Sequence, residues 1–544
     1  MPSVRISERG EWWVTFAVVL LVGVAWSFGS PLMRAPDEPA HVLRAVAVAH
    51  GQLTMDHHRV AYGGGLAGPV IDLRVRRAYA LLDDPGPMPA DPDRALRSSP
   101  IGPDGPTVDS TTVAVTYPLT YYAMTGWPSL IFDARWAVPL MRIVSAAWGS
   151  ALIASGVASM LRLRRSRADR ANGGLLLAGA ALVMTPMTWF LLASVNPNGL
   201  EIAAAFCLWT TALAVGEALA TPDSTIATRL IMRVAVAASL LAMMRLLSPV
   251  VLVAVAAAVG ALVLDCAAIR RALADRRIRA ALAVVTTVTV VSESALAWFG
   301  LDDSLVTQAA TPGGRGQILR HSIDATPAWT RQLIGELGWL DTPLPTSVVW
   351  PWLLACLALA IAAIAVARPR GRTVLVAIAA ATFAMPILAE VVSGPTVAMV
   401  WQGRYTLPIA MGIPIVAAYL LDRSRRVSAR TERAVSITLV VGVAVGVLRS
   451  LLAMVNWYSA GEPGSWLTFV HARGGVYPWS WITIVVLGAT AISAWLAWML
   501  RLLRGSGGDG DRLTDLVLRD VSVGEVDGLP RLGGEAGHLR REQG

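Results

Sequence analysis

Residues 136–170 read WAVPLMRIVSAAWGSALIASGVASMLRLRRSRADR. Over 136–161 the only charged residue is Arg142; five arginines then follow at once, at 162, 164, 165, 167 and 170. An apolar run of about 20 residues is what a helix needs to cross a hydrocarbon layer about 30 Å thick. Arginines gathered at one end of such a run mark the cytoplasmic side. This stretch therefore predicts a membrane-spanning helix with a direction.

The rest of the chain repeats the pattern. Only 15% of the 544 residues are charged, against roughly a quarter in soluble domains, and the mean hydropathy is +0.56. We read an all-α polytopic membrane protein with twelve spans near 11–29, 136–161, 174–195, 199–219, 229–246, 249–265, 280–299, 346–367, 374–392, 405–421, 434–456 and 480–501. Further arginine clusters follow at 270–279, 368–372 and 423–433, all on one side of that count. Both termini are then cytoplasmic. The first run, Trp12 to Phe28, has no small-residue cleavage site and is read as a retained span.

The net charge of +9 comes from arginine alone among the basic residues, and it sits in short interspan clusters. That distribution argues against nucleic acid as a partner. Cys207, Cys266 and Cys356 lie in or beside apolar runs without CxxC spacing, which reads as buried free thiols.

Segment 117–132, YPLTYYAMTGWPSLIF, is apolar but short and holds two prolines. Counted as a span, it would put the 162–170 arginines outside, so it is read as an interfacial or re-entrant helix. The long loops then face outward: 30–135 with interfacial helices, 300–345, and two shorter ones at 393–404 and 457–479. One membrane body, 1–504, is followed by a polar Gly-rich tail, 505–544, read as disordered and cytoplasmic. Arg142, Glu201, Arg245, Glu293, Glu390, Arg404 and Arg449 all fall in the outer parts of spans, whereas Arg233 sits at a cytoplasmic end and can snorkel. A charge at mid-bilayer costs roughly 2.5–3.5 kcal/mol. The outer set therefore forms either structural ion pairs or the lining of a polar cavity open to the outer surface.

The sharpest local motif is Pro36-Asp37-Glu38-Pro39-Ala40-His41. Asp37 or Glu38 can cap a helix starting at Pro39, and residues 37, 41 and 44 then share a face, displaying a carboxylate, an imidazole and Arg44. That set suits acid–base chemistry or a divalent metal through Asp37, Glu38 and His41; plain capping is the structural alternative. Tyr117 and Tyr121 read as an aromatic belt or a binding face. Trp339 and Asp341 lead into the eighth span, and Gln402, Arg404 and Tyr405 into the tenth. An arginine between glycine and an aromatic ring at the interface suits a phosphate, which guanidinium grips with two bonds; anchoring to lipid head groups is the simpler alternative.

Taken in order, DEPAH (37–41), YPLTYY (117–122), TPMTWFLLASVNPNG (185–199), GWLDTPLP (338–345) and QGRYTLP (402–408) resemble the bacterial domain-of-unknown-function family 2142, grouped with the GT-C glycosyltransferase superfamily. The resemblance runs over roughly residues 10–500. Asn198 and Leu119 depart from it, where an acid and a second proline are expected. It implies a GT-C-like inverting transferase of the bacterial cytoplasmic membrane, with its active site outside the cytoplasm. The donor would be a polyprenyl-phosphate sugar and the acceptor a cell-envelope glycan or lipid. Asp37 would be the base, Glu38 its support, and Arg404 the binder of the leaving phosphate; His41, Arg44, Arg142, Tyr117, Tyr121, Trp339, Asp341, Gln402 and Tyr405 would bind substrate. A transporter or flippase, or a noncatalytic partner in envelope assembly, are the alternatives.

Overall fold

The computed structural model describes residues 7–54, 57–62, 66–80, 104–115, 117–165, 174–221, 225–298, 314–395, 399–424, 426–460 and 481–504. The expected tail at 505–544, the middle of the first loop, the start of the 300–345 loop and most of 457–479 lie outside the described residues.

Helix α1 (Glu8–Gly29) begins on Ser7, whose hydroxyl accepts from the Gly10 amide at 3.2 Å. Glu8 and Glu11 add negative charge where the helix dipole favours it. After a turn come α2 (Glu38–Ala49) and the short α3 (Leu119–Thr125). The 32-residue α4 (Ala134–Arg165) ends in Arg162, Arg164 and Arg165, the charge sign its C-terminus prefers. It packs along α1 and along α7 (Pro197–Ala220), a deeply buried span. The expected third span is broken: α5 (Gly174–Val183) and α6 (Pro186–Leu192) meet at 63°. Pro186 cannot donate into the preceding turn, and Thr185 caps a new helix by accepting from the Thr188 amide. Trp352 Nε1 donates to the Leu182 carbonyl at 2.9 Å, satisfying an acceptor at the break.

Two expected spans come out short. Helix α8 (Thr228–Ala242) has 15 residues and α9 (Ser248–Val263) has 16. At 1.5 Å per residue neither reaches about 30 Å. Then come α10 (Cys266–Ala274), α11 (Arg276–Trp298), α12 (Arg315–Ile334), α13 (Thr346–Val366) and α14 (Pro369–Ser393). A 3₁₀ turn, Gly403–Thr406, leads through Leu407–Ala410 into α15 (Gly412–Ser424), followed by α16 (Ala429–Ala460) and α17 (Trp481–Arg504). Among the described residues nine helices are long and apolar enough to cross a membrane, ten with the bent pair, rather than twelve. Segment 117–132 forms α3 and a 3₁₀ turn, neither long enough to span.

The first loop is not purely helical. Three antiparallel strands, β1 (His58–Tyr62), β2 (Leu66–Arg76) and β3 (Thr107–Thr112), pair in the order β1-β2-β3, with His58 opposite Val70 and Ile71 opposite Thr112. Along β2, Leu73 and Val75 are buried while Asp72, Arg74 and Arg76 are exposed, the period-two signature of a one-sided strand. The sheet touches α2 through Thr112 Oγ1, which donates to the Ala40 carbonyl at 2.8 Å. Cys207 is buried as expected, but Cys266 is exposed because it opens α10.

Candidate functional site

Pro36 to His41 do not fold as simple capping predicts. The helix starts at Glu38, and Asp37 sits just before it in the left-handed region, φ 61° and ψ 4°, making no capping bond. Asp tolerates that region better than most residues, and such conformations gather at functional sites. The turn carries the two adjacent carboxylates into different environments.

Glu38 points into the bundle and is fully buried. Its Oε1 accepts from Arg142 Nε at 2.7 Å and the Val195 amide at 3.0 Å; Oε2 accepts from Arg142 Nη2 at 2.5 Å and the Met33 amide at 3.0 Å. Arg142 also donates to the carbonyls of Ser27, Ser30 and Pro31. Both groups are occupied with holding the α1–α2 turn against α4 and the α6–α7 turn. Neither Glu38 as a catalytic support nor Arg142 as a substrate binder fits this geometry. Glu38 is engaged by Arg142 and two amides while His41 meets Tyr122, and among the described residues no three His, Cys, Asp or Glu side chains are grouped as metal ligands would be.

Asp37 turns the other way. Its side chain is 34% exposed, and Oδ2 accepts from Arg404 Nη2 at 2.6 Å, while Arg404 itself is fully buried. The same Nη2 donates to the Tyr405 hydroxyl at 3.2 Å. Arg404 Nε and Nη1 are buried and have no hydrogen-bond partner. Two unpartnered donors on a buried cation are costly to leave so, and their position beside a half-exposed carboxylate gives them a candidate ligand face. Arg404 is placed by close packing. A side chain at Gly403 would meet the Trp329 carbonyl at 2.1 Å, and the Gly403 amide donates to Gln332 Oε1 at 2.7 Å. Trp209 Nε1 donates to the Pro408 carbonyl at 3.0 Å, pinning the following turn to α7.

Around this pair the cluster continues. Arg245 lies over the Tyr405 ring at 3.9 Å and faces Glu201 Oε2 at 3.6 Å. Glu201 also accepts from Ser248 Oγ at 2.7 Å and Asn198 Nδ2 at 3.2 Å. Asn196 closes the circuit, its Nδ2 donating to the Pro36 carbonyl beside Asp37 at 2.8 Å. Asn198 thus stands where an acid would confront Glu201, which accounts physically for its amide. His41 packs edge-on against Tyr117 at 4.8 Å, and its Nδ1 is 3.0 Å from the Tyr122 hydroxyl. Burial drives its pKa down to about 4, outweighing the attraction of Asp37, so the ring is neutral. His41 Nε2 is buried without a partner. Burial likewise raises the Tyr117 and Tyr122 phenols.

Of the residues expected from the sequence, Asp37, His41, Tyr117, Arg404 and Tyr405 are brought together. Arg44 is buried rather than displayed: Nη2 donates to the Thr54 carbonyl at 2.5 Å, while Nε and Nη1 lack partners. Tyr121 bonds Ser145 Oγ at 3.0 Å and ties α3 to α4. Gln402 opens the 3₁₀ turn, its carbonyl accepting from the Tyr405 amide. Asp341 builds the hairpin joining two short strands, Glu336–Leu337 and Thr342–Pro343, where it accepts from the Trp339 amide at 3.2 Å and the Thr342 hydroxyl at 3.1 Å. Arg245, Glu201, Tyr122 and Asn196 are site residues that motif reading left out of the binding set. The signal for the first two was present as charges at the outer ends of apolar runs.

A mostly helical bundle with nine or ten candidate spans among the described residues, carrying a buried-arginine site at one end, defines a multi-pass membrane protein. The chain belongs to the family described as predicted membrane protein (DUF2142), whose model matches residues 20–413. No curated protein and no solved structure matches it.

Proposed function

We propose that this protein is a membrane glycosyltransferase that moves a sugar from a polyprenyl-phosphate carrier to a hydroxyl of a cell-envelope glycan or lipid on the outer face of the bacterial cytoplasmic membrane. The observation that supports it most is the Asp37–Arg404 pair: a partly exposed carboxylate beside a buried guanidinium with two donors to spare. In this reading Arg404 Nε and Nη1 take the donor phosphate, in the bidentate manner guanidinium favours. Asp37 accepts the acceptor hydroxyl's proton as its oxygen bonds to the anomeric carbon. The bond from that carbon to the phosphate oxygen breaks, and polyprenyl phosphate leaves with the electron pair. A single displacement inverts the anomeric centre. Arg404 holds charge that grows on the leaving group, the electrostatic share of the catalysis, while base action contributes roughly 10²–10⁴ in rate. Tyr117, His41, Tyr405 and Arg245 supply hydroxyl, imidazole and cationic surface for the sugar.

The test is transfer in liposomes supplied with extracted polyprenyl-phosphate sugars and an envelope acceptor fraction. Wild type should form the glycoside, and Asp37→Asn and Arg404→Ala should lose at least a hundredfold while inserting normally. Undiminished transfer in both variants overturns the roles assigned here. Lipid or substrate flux with no glycoside formed favours a transporter instead, and neither flux nor transfer favours the noncatalytic partner.

A further inference from the structure

The end of the bundle opposite Asp37 holds a second feature. Helix α1 runs about 33 Å at 1.5 Å per residue, so Glu8 lies a membrane's thickness from the Asp37 turn. Near Glu8, a groove of about 300 Å³ opens between α4, α7 and α8. Its walls include Leu152, Ser155, Met232 and Val236, and its mouth carries Arg229 and Arg233. These two arginines are four residues apart and so project from one face of α8. The groove is therefore cationic at the bundle end and apolar toward the middle.

The charge there is not balanced among the described residues. Arg162, Arg229 and Arg233 gather around Glu8. Its two oxygens hold Arg162 and Arg233 only at 3.9 Å each, the outer limit of an ion pair. Arg233 also donates to Ser159 Oγ on α4 at 3.3 Å, one turn from the groove residue Ser155, which holds it largely buried. Exposed Arg229 sits one turn nearer the end. Small-molecule sites begin at roughly 300 Å³, and two guanidiniums at i and i+4 suit the single phosphate of a phosphodiester head group. Snorkelling alone needs no groove.

We infer that this groove binds one anionic phospholipid, with its head-group phosphate on Arg229 and Arg233 and an acyl chain along Leu152, Met232 and Val236. The site is independent of the sugar-transfer reading and lies at the other membrane face.

The test uses the full-length protein in a neutral detergent, following thermal unfolding by tryptophan fluorescence while phosphatidylglycerol or phosphatidylcholine is added. Phosphatidylglycerol should raise the midpoint saturably in wild type, and phosphatidylcholine should not. Arg229→Gln/Arg233→Gln should lose that rise. Arg368→Gln/Arg372→Gln, removing two exposed arginines at the junction of α13 and α14, which pack chiefly on helices other than α4, α7 and α8, should keep it. Soluble glycerol phosphate at equal concentration should give no rise, separating a lipid from a free phosphate. Val236→Trp fills the apolar part without touching charge and should abolish the rise too, so the inference remains testable if the double arginine variant folds poorly. An equal rise in the groove variants overturns the inference, as does an equal loss in the Arg368/Arg372 control, which would mean diffuse surface charge.

Discussion

Neighbouring Asp37 and Glu38 should give opposite phenotypes when neutralised. In Glu38→Gln the shape is kept, but a carboxylate accepting four buried hydrogen bonds becomes an amide whose NH₂ must face a donor. Arg142 is then left as a charge buried without its counter-ion. Breaking a buried pair by removing one partner costs about 3–5 kcal/mol, a large share of a total stability of about 5–15 kcal/mol. Asp37→Asn also takes the counter-charge from a buried guanidinium, but its amide oxygen can still accept from Arg404, which keeps its Tyr405 bond. The position is 34% exposed, so water can enter, and the change should cost less, about 1–2 kcal/mol. Thermal unfolding in detergent, read on the 20 tryptophans, separates the two. Glu38→Gln should unfold far below wild type and be recovered from membranes in reduced amount, while Asp37→Asn should unfold close to wild type and lose transfer. Adding Arg142→Met to Glu38→Gln removes both charges and should restore part of the midpoint. Recovery stays partial because the carbonyls of Ser27, Ser30 and Pro31 lose their donor. A Glu38→Gln protein that unfolds with wild type yet cannot transfer sugar would refute the structural role given to Glu38.

Other outcomes follow from single contacts. His41 titrates lower in the fold, at about 4, than the roughly 6.5 of an unfolded chain, so its contribution to stability is whole above pH 6.5 and declines as pH falls toward 4, by ~3 kcal/mol in all. His41→Gln should flatten that part of the stability–pH curve, and an unchanged curve would assign the acid sensitivity elsewhere. Gly403→Ala puts a methyl group 2.1 Å from the Trp329 carbonyl and must displace the turn carrying Arg404, so transfer should drop severely with insertion intact; wild-type transfer would show that the placement is not critical. Asn198→Asp sets a carboxylate against Glu201 and should destabilise by roughly 1–3 kcal/mol. Adding Glu201→Gln should relieve it, and no relief would show that the two side chains do not interact.

Apolar runs and arginine clusters alone determined that the chain is a helical, multi-pass membrane protein, because transfer of whole segments into lipid depends on composition over about 20 residues and little on neighbours. The same logic placed Arg404 and the other in-span charges near one depth, while the local motif at 36–41 drew attention to Asp37, 367 positions away. Local pattern also held the signal of strand β2, whose alternation of Leu73 and Val75 with Asp72, Arg74 and Arg76 was hidden inside a polar loop. Span number was harder to read: α5 and α6 look like one apolar run until Pro186 and Thr185 divide them, and the segments around Arg245 form two short helices. Which partners each carboxylate meets was decided only by tertiary structure. Asp37 and Glu38 are adjacent in sequence and alike in chemistry, yet one residue with φ 61° sends them in different directions, Glu38 into four bonds about Arg142 and Asp37 toward Arg404. A backbone turn and the partners it meets come from distant helices, and no local pattern carries that information.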